Sequence, residues 1–168
     1  NDTQPKELTA KEWIKIGEEA AEMGTGSLLL TGGEPLLRDD FCEIYEAIYK
    51  KGFITTLYTN ATLVDDRIMA LLEKFPPHKI GVSIYGASPE TYLKVCGNAG
   101  FFKKAVEGAK KLVTLPSVVE FRTTIIEDNY EDKDKIEELI KREFGEKYNL
   151  VITRMVLNSV RGCCCDVA

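Results

Sequence analysis

The turn at residues 31–35 carries the residue types in this chain that are best suited to ligand binding. It reads Thr31-Gly32-Gly33-Glu34-Pro35 and follows three consecutive leucines that are typical of a buried strand. Two adjacent glycines let backbone groups approach a ligand closely, Pro35 restricts the turn, and Glu34 adds a negative charge. Such a turn suits a small cationic group such as an amine. Alternatively, it is a strand-to-helix connection in which a glycine needs positive φ and Glu34 complements the dipole of the next helix.

Further polar side chains lie near the ends of three later predicted strands. One segment ends in Thr59-Asn60, the next carries Ser83, and a third carries Glu120 and Arg122 on one face. Parallel α/β proteins bind ligands at the carboxyl ends of their strands. A buried guanidinium needs an anionic partner, which is either Glu120 or a neighbouring acid, or the carboxylate of a ligand. Ser83 either binds a ligand hydroxyl or carboxylate, or is a small space-filling residue.

The five cysteines do not form a spaced disulfide framework, which fits a reducing compartment such as the cytoplasm. Cys42 and Cys96 fall in helical segments, where structural thiols are common. His78, the single histidine, follows two prolines and is expected to be solvated. The other three cysteines are consecutive, so they cannot readily converge on one cluster. They form either a disordered or artefactual tail or part of an auxiliary cluster or metal site, at Cys163, Cys164 and Cys165.

The composition is that of one folded domain without a polyanion-binding surface. The chain has 168 residues, 44% of them hydrophobic, with 22 basic and 27 acidic residues and a net charge of −5. No basic stripe suited to phosphates is present, so nucleic acid is not an expected partner. No apolar run reaches the roughly 18 residues of a membrane span, and the amino terminus lacks a signal-peptide pattern. We therefore expect a cytoplasmic protein that does not contact membranes.

The first predicted element is a helix. Thr9 and Glu12 form a capping-box pair, and Ile16, Ala20 and Met23 continue an apolar stripe at helical spacing. Strands and helices then alternate. Helices are predicted around 41–49 and 68–72, from 88 to about 115 with a break near Gly97, and from Asn129 onward. Strands are predicted at 27–30, 53–58, 79–84, 118–126 and 150–157.

This alternation predicts an α/β fold with a parallel sheet. Equivalent strand positions lie 26 to 39 residues apart, as in β-α units joined by right-handed crossovers. Composition does not distinguish an open doubly wound sheet from part of a βα barrel, but no G-x-G-x-x-G follows a strand, which disfavours dinucleotide binding. Because such folds normally begin with a strand, we expect a first strand to be missing. Its neighbour would then form an exposed edge that favours a homodimer.

Four segments of the chain resemble strand motifs of radical S-adenosylmethionine (radical SAM) enzymes. They are 28–37 (LLLTGGEPLL), 57–61 (LYTNA), 82–92 (VSIYGASPETY) and 121–124 (FRTT). The similarity extends from about residue 9 to 157 and is greatest to the peptide- and protein-modifying subgroup, which often carries a carboxyl-terminal SPASM domain. It implies a partial (β/α)6 TIM-like barrel over residues 1–162, with the first strand missing, followed by a cysteine-rich tail at 163–168.

The resemblance also implies a cofactor and the residues that bind it. Thr31 to Glu34 would face the methionyl amino group of S-adenosylmethionine, Ser83 and Arg122 would hold its carboxylate and ribose side, and strand residues would contact adenine. In the family a reduced [4Fe–4S] cluster cleaves this cofactor to methionine and a 5′-deoxyadenosyl radical, which abstracts hydrogen from the substrate. The cofactor-binding residues implied are Thr31, Gly32, Gly33, Glu34, Pro35, Thr59, Asn60, Ser83, Arg122, Met155 and Val156.

The C-x-x-x-C-x-x-C loop that holds the cluster in this family is absent from the 168 residues. We therefore interpret the chain as an internal fragment that is inactive by itself, and we predict no catalytic or metal-ligating residue in it. The parent enzyme would modify a substrate, with a peptide or protein suggested by the resemblance. The alternative is a non-catalytic α/β binding or interaction domain that keeps the barrel fold. A lyase or hydrolase is disfavoured because no lysine, metal triad or acid pair suited to that chemistry lies at the strand ends.

Overall fold

The computed structural model describes residues 7–154, which form a five-stranded parallel sheet flanked by helices. Each strand is hydrogen-bonded to the next one in the sequence, so the sheet order is the chain order. The predictions at Met155, Val156, Cys163, Cys164 and Cys165 lie outside the described residues. The strands are β1 Ser27–Leu30, β2 Ile54–Thr59, β3 Lys79–Ser83, β4 Val118–Ile125 and β5 Leu150–Arg154.

Six α-helices are present in the described part of the chain, together with 3-10 turns at Pro35–Leu37 and Glu127–Asp132. None of these helices is both long and apolar enough to cross a bilayer. The predicted alternation of strands and helices is confirmed, with element ends shifted by one or two residues in most cases. The helices are α1 Ala10–Glu22, α2 Phe41–Lys50, α3 Asp66–Lys74, α4 Pro89–Cys96, α5 Gly100–Leu112 and α6 Lys133–Phe144.

Local sequence signals explain where several helices begin and end. Thr9 and Glu12 form the predicted capping box of α1, with Glu12 accepting from the Thr9 amide at 2.7 Å. Ser88 caps α4 by accepting a hydrogen bond from the Thr91 amide. Gly97 adopts a left-handed conformation with φ of 71° and ends α4, so the break predicted at this position is confirmed.

The order of the strands distinguishes between the two sheet types that the sequence left open. A doubly wound sheet reverses its strand order at a switch point, whereas this order runs from β1 to β5 without reversal. Right-handed crossovers then place the helices on one face of the sheet. Burial alternates accordingly, because Phe121 and Ile125 of β4 are buried whereas Glu120 and Arg122 are half-buried. We call the second face, which carries Tyr58, Lys79, Ser83, Glu120 and Arg122, the open face.

The first helix, predicted from the apolar stripe at Ile16, Ala20 and Met23, is confirmed as α1, although Ile16 and Met23 are 44% and 82% exposed. The helix instead packs on α2 through small residues, and a Cβ added at Gly17 would lie 3.3 Å from Ile48. Asn129 does not open a helix, because α6 begins at Lys133 and Asn129 is buried in the preceding 3-10 turn. The predicted start at Asn129 is therefore wrong, whereas the helix itself is present and buries Ile136, Leu139 and Ile140 as predicted.

Candidate functional site

The carboxylate of Glu34 is held at the carboxyl ends of β1 and β2 by three hydrogen bonds. The Thr59 hydroxyl donates to Oε1 at 2.7 Å, the Asn60 amide donates to Oε2 at 2.7 Å, and the Leu36 amide donates to Oε1 at 3.1 Å. Glu34 therefore caps the 3-10 turn that follows β1, as the simpler interpretation of this turn expected, and it also joins two strand ends. Thr59 and Asn60, which were predicted to bind a cofactor, contact this carboxylate directly.

The glycines before Glu34 leave the backbone of the turn accessible. A Cβ added at Gly32 or Gly33 would have no described atom within 4 Å, so packing does not require a glycine at either position. Gly32 has a φ of 158°, and Thr31 and both glycines are exposed. The turn thus has open space beside a fixed negative charge, which is the arrangement expected of a site for a cationic group.

Arg38 anchors the segment after this turn, and its role was not predicted from the sequence. Its guanidinium contacts Asp40 through Nε and Nη2, both at 2.9 Å. It also pairs with Glu7 at 2.9 Å and donates to the Leu8 carbonyl at 3.0 Å. Hydrogen bonding to Asp40 raises the pKa of Arg38, and the same bond lowers the pKa of the Asp40 carboxyl. These contacts connect the segment to the chain that enters α1.

The open face carries a second group of charged residues, which we call the Lys79–Glu120–Arg122 cluster. Lys79 Nζ lies 2.7 Å from Oε2 of Glu120, and Arg122 Nη1 donates to Oε1 of the same carboxylate. The guanidinium carbon of Arg122 lies 4.6 Å from the ring centre of Tyr58. Glu120, one of the two partners left open for Arg122, contacts one nitrogen of its guanidinium. The Arg122 side chain is still 28% exposed, which leaves part of it accessible to a ligand.

Ser83 lies beside this cluster, since it is paired in register with Arg122. Tyr85 follows β3 by two residues. Burial raises the pKa of Tyr85, and the neighbouring Ser83 offsets part of this rise. Tyr85 thus lies near Ser83 beyond the carboxyl end of β3, and no role was predicted for it.

A buried polar network behind the sheet holds the loops after β3 and β4. The Asn129 amide group donates to the carbonyls of Tyr85 and Thr124, both at 3.0 Å. Asp132 accepts from the Thr91 hydroxyl, and from the Ala87 amide at 3.1 Å. Because these contacts span the ends of both strands, they set the positions of the loops next to Ser83 and Arg122.

An open groove of about 1080 Å³ lies between α1 and β1. The turn at 31–35 lines one end of it, and Trp13, Ile16 and Leu29 contribute exposed apolar surface. Thr59, Asn60, Ser83 and Arg122 are not among its lining residues. The predicted cofactor residues in the described part of the chain thus form two groups. Thr59 and Asn60 lie with the turn at 31–35 around the Glu34 carboxylate, whereas Ser83 and Arg122 lie on the open face.

The described residues do not provide a site for an iron–sulfur cluster. No group of three or more histidine, cysteine or acidic residues in this part of the chain could hold a metal ion. Cys42 lies in α2 and Cys96 ends α4, and both are half-buried free thiols. Burial raises the pKa of the Cys96 thiol, which disfavours the thiolate form that ligates iron. His78 is exposed, as predicted.

The family model of the radical SAM superfamily matches residues 1–142 of this chain. The chain belongs to this superfamily. It is 34% identical over 144 residues to the AdoMet-dependent heme synthase of Methanosarcina barkeri (strain Fusaro / DSM 804), which covers 86% of the chain and 41% of that protein. It is 31% identical over 104 residues to the PqqA peptide cyclase of Granulibacter bethesdensis (strain ATCC BAA-1260 / CGDNIH1), covering 62% of the chain and 28% of that protein.

Solved structures share the fold of this chain. Streptococcus suis SuiB bound to S-adenosylmethionine superimposes with a TM-score of 0.76 over 95% of this chain and 37% of SuiB, at 18% sequence identity. The prediction of a parallel α/β partial barrel of the radical SAM type is confirmed. The chain spans less than half the length of each of these proteins.

Proposed function

We propose that this chain is the cofactor-binding part of a longer radical SAM enzyme and that it binds S-adenosylmethionine at the carboxyl ends of its strands. The observation that carries this proposal is the Glu34 carboxylate, which three donors hold in place beside an accessible Gly-Gly backbone. Membership of the superfamily over residues 1–142 supports the choice of ligand.

Glu34 would bind the ammonium group of the cofactor. An ionised carboxylate has about four acceptor positions, and the donors from Leu36, Thr59 and Asn60 occupy three of them. A position remains for a cation, and the protein contacts fix the direction in which the carboxylate points. The cost of orienting Glu34 is thus met in folding and does not have to be met again on binding.

Arg122 and Ser83 would bind the carboxylate and ribose side of the cofactor. The Arg122 guanidinium uses Nη1 for Glu120 and lies over the Tyr58 ring, so its orientation is restricted before a ligand arrives. Bound S-adenosylmethionine supplies, on one-electron reduction, the radical chemistry of the superfamily. The share of the described residues is to orient the cofactor and to exclude water around it. The described residues provide no set of ligands for the [4Fe–4S] cluster, so these ligands would come from elsewhere in the enzyme.

The proposed substrate is a peptide or protein. Two of the proteins similar to this chain support this choice, since one is a PqqA peptide cyclase and SuiB has been solved bound to the precursor peptide SuiA. A second candidate is a reaction that forms heme, which is favoured by the 34% identity to a heme synthase over 86% of the chain. Competition experiments with a precursor peptide and with a porphyrin against the same enzyme would separate the two candidates.

The binding of S-adenosylmethionine is tested by anaerobic calorimetry on the full-length protein and its Glu34→Gln variant. A charge-assisted hydrogen bond contributes about 1.5–3 kcal/mol, so the variant should bind the cofactor about tenfold to a hundredfold more weakly. Because glutamine cannot accept from all three donors, we also expect a small loss of stability.

Thr59→Val is the matched control, because it removes one hydrogen bond to the same carboxylate and leaves the charge. It should lower the melting temperature at least as much as Glu34→Gln while weakening cofactor binding less. Unchanged affinity in Glu34→Gln together with a lower melting temperature would show that Glu34 is only a structural cap. Failure of the wild-type protein to bind the cofactor would favour the alternative of a non-catalytic α/β domain.

A further inference from the structure

The Lys79–Glu120–Arg122 cluster places two cations and one anion on adjacent strands of the open face. Lys79 is the first residue of β3, and Glu120 and Arg122 are the third and fifth residues of β4. Their side chains are 30%, 24% and 28% exposed, so water screens them only in part. One oxygen of Glu120 pairs with Lys79 and the other with Arg122. The carboxylate is therefore shared between the two cations and is not committed to either one.

The packing around Gly81 keeps Arg122 at a fixed position. Gly81 is paired with Glu120 in register, and a Cβ added to it would lie 2.5 Å from the Tyr58 ring and 2.9 Å from Cδ of Arg122. Only glycine leaves room at this position for the ring and the arginine stem together. The guanidinium is thus restrained by Tyr58 on one side and by Glu120 on another.

The charges of the cluster sum to +1, and Lys79 is the residue that makes the sum positive. Without Lys79, both oxygens of Glu120 would be available to Arg122. Arginine and carboxylate readily form a two-pronged pair of that kind, and the positive charge of Arg122 would then be neutralised. With Lys79 present, Glu120 orients the guanidinium and leaves a net positive charge next to Ser83.

We propose that Lys79 is a positioning residue that keeps Arg122 selective for the carboxylate of an amino-acid ligand. Lys79 does so by pairing with one of the two Glu120 oxygens, so that only the other oxygen pairs with Arg122. This inference rests on the proposed function, because the ligand in question is S-adenosylmethionine. Lys79 acts through Glu120 and does not contact the ligand itself.

The test compares S-adenosylmethionine with decarboxylated S-adenosylmethionine, which lacks only the carboxylate that Arg122 would bind. Anaerobic calorimetry measures both affinities for the full-length wild-type protein and for Lys79→Met, Lys79→Arg and Lys110→Met. Lys110 is the matched control, since it pairs with Glu143 at 2.6 Å on the surfaces of α5 and α6. Lys79→Met should weaken S-adenosylmethionine binding about three- to tenfold and leave the affinity for the decarboxylated ligand unchanged.

Lys79→Arg should restore the preference for the carboxylate, and Lys110→Met should not alter it. Equal weakening of both ligands in Lys79→Met would show a structural role and overturn the inference, as would an unchanged affinity for S-adenosylmethionine. Absence of S-adenosylmethionine binding by the wild-type protein would instead overturn the proposed function and the inference together, so the two failures are distinguishable.

Discussion

Glu120 stays charged at a half-buried position on the sheet. Burial by itself would raise the pKa of this carboxyl, but the hydrogen bonds from Lys79 and Arg122, together with their positive charges, more than offset it and lower the pKa. The carboxylate therefore remains ionised at neutral pH and continues to orient both cations. At the scale of single residues, the open face depends on this balance and on the room that Gly81 leaves for Tyr58 and Arg122.

Gly81→Ala should destabilise the protein and weaken cofactor binding. The added methyl group would overlap the Tyr58 ring and the stem of Arg122, and overpacking of this kind costs about 1–3 kcal/mol. Urea unfolding measures the loss. Gly26→Ala is the control, because a Cβ at Gly26 would meet no described atom within 4 Å. Equal stability of the two variants would contradict the packing role assigned to Gly81.

The 3-10 turn before α6 connects elements that are distant in the sequence. Asn129 joins the loops after β3 and β4, and Asp132 joins α4 to the start of α6 through Thr91 and Lys135. Asp132 is 7% exposed, and a Cβ at Gly86 would meet the Thr91 side chain at 2.5 Å. At the scale of elements, this network determines how the ends of β3 and β4 approach each other.

Asp132→Asn should remove a contribution to stability that depends on pH. Burial raises the pKa of Asp132, but hydrogen bonds from Thr91, the Ala87 amide and Lys135 outweigh this effect, and its pKa lies below the ordinary value of 3.8. Because the folded state then binds fewer protons than the unfolded state, the stabilisation is complete above about pH 5 and is lost as the pH falls through the folded-state pKa. The cost of the substitution should be about 1.5–3 kcal/mol at pH 7.

Denaturant unfolding at pH 7 and at pH 3 tests this dependence. The difference between wild type and Asp132→Asn should shrink at the lower pH. Asp66→Asn serves as control, since the Asp66 side chain is fully exposed in its pairing with Lys111 and its replacement should matter little at either pH. A cost for Asp132→Asn that is the same at both pH values would contradict an ionised, stabilising Asp132.

The whole molecule presents one edge of its sheet beside a groove with apolar walls. Among the described residues, β1 pairs with β2 alone, and Trp13, Ile16 and Leu29 next to it are 40%, 44% and 49% exposed. Unpaired strand edges with apolar neighbours favour association with another chain. We therefore keep the prediction that copies of the 168-residue chain associate through β1.

Sedimentation velocity over a range of concentrations tests this association. We expect the chain to form dimers, and Leu29→Lys should shift it toward the monomer because a charge on an edge strand opposes pairing. Leu93→Lys is the control, since Leu93 is similarly exposed at 55% but lies on α4. A chain that stays monomeric at all concentrations, or that responds equally to both substitutions, would contradict an interface at β1.

The 168-residue chain by itself should not assemble a radical SAM cluster, because it has no C-x-x-x-C-x-x-C motif. Anaerobic reconstitution with iron and sulfide, followed by iron analysis and electron paramagnetic resonance, is the measurement. We expect less than one [4Fe–4S] cluster per chain, and any minor signal should disappear when Cys163, Cys164 and Cys165 are replaced by Ser but not in Cys42→Ser. A stoichiometric cluster whose spectrum changes on addition of S-adenosylmethionine would contradict this expectation.

Local sequence signals were sufficient to predict the helices, the strands and the position of the turn at residues 31–35. Signals such as the Ser88 cap, the left-handed Gly97 and the glycines before Glu34 act within a few residues, so they can be read without knowing the fold. The spacing of the strands likewise predicted a parallel sheet, and the resemblance of four motifs predicted the superfamily. These features are local or repeat along the chain, which is why they were predicted correctly.

The contacts between these elements and the pairing of their side chains could not be predicted and became evident in the folded structure. Glu34 contacts Thr59 across 25 residues of sequence, and Lys79 reaches Glu120 across 41. No local pattern encodes such distances, so the sequence could not choose between Glu120 and a ligand for Arg122. For the same reason it could not show that the apolar side of α1 is exposed, or that Asn129 joins two loops. Those outcomes depend on the register of strands, which sets the contacts between residues far apart in the chain.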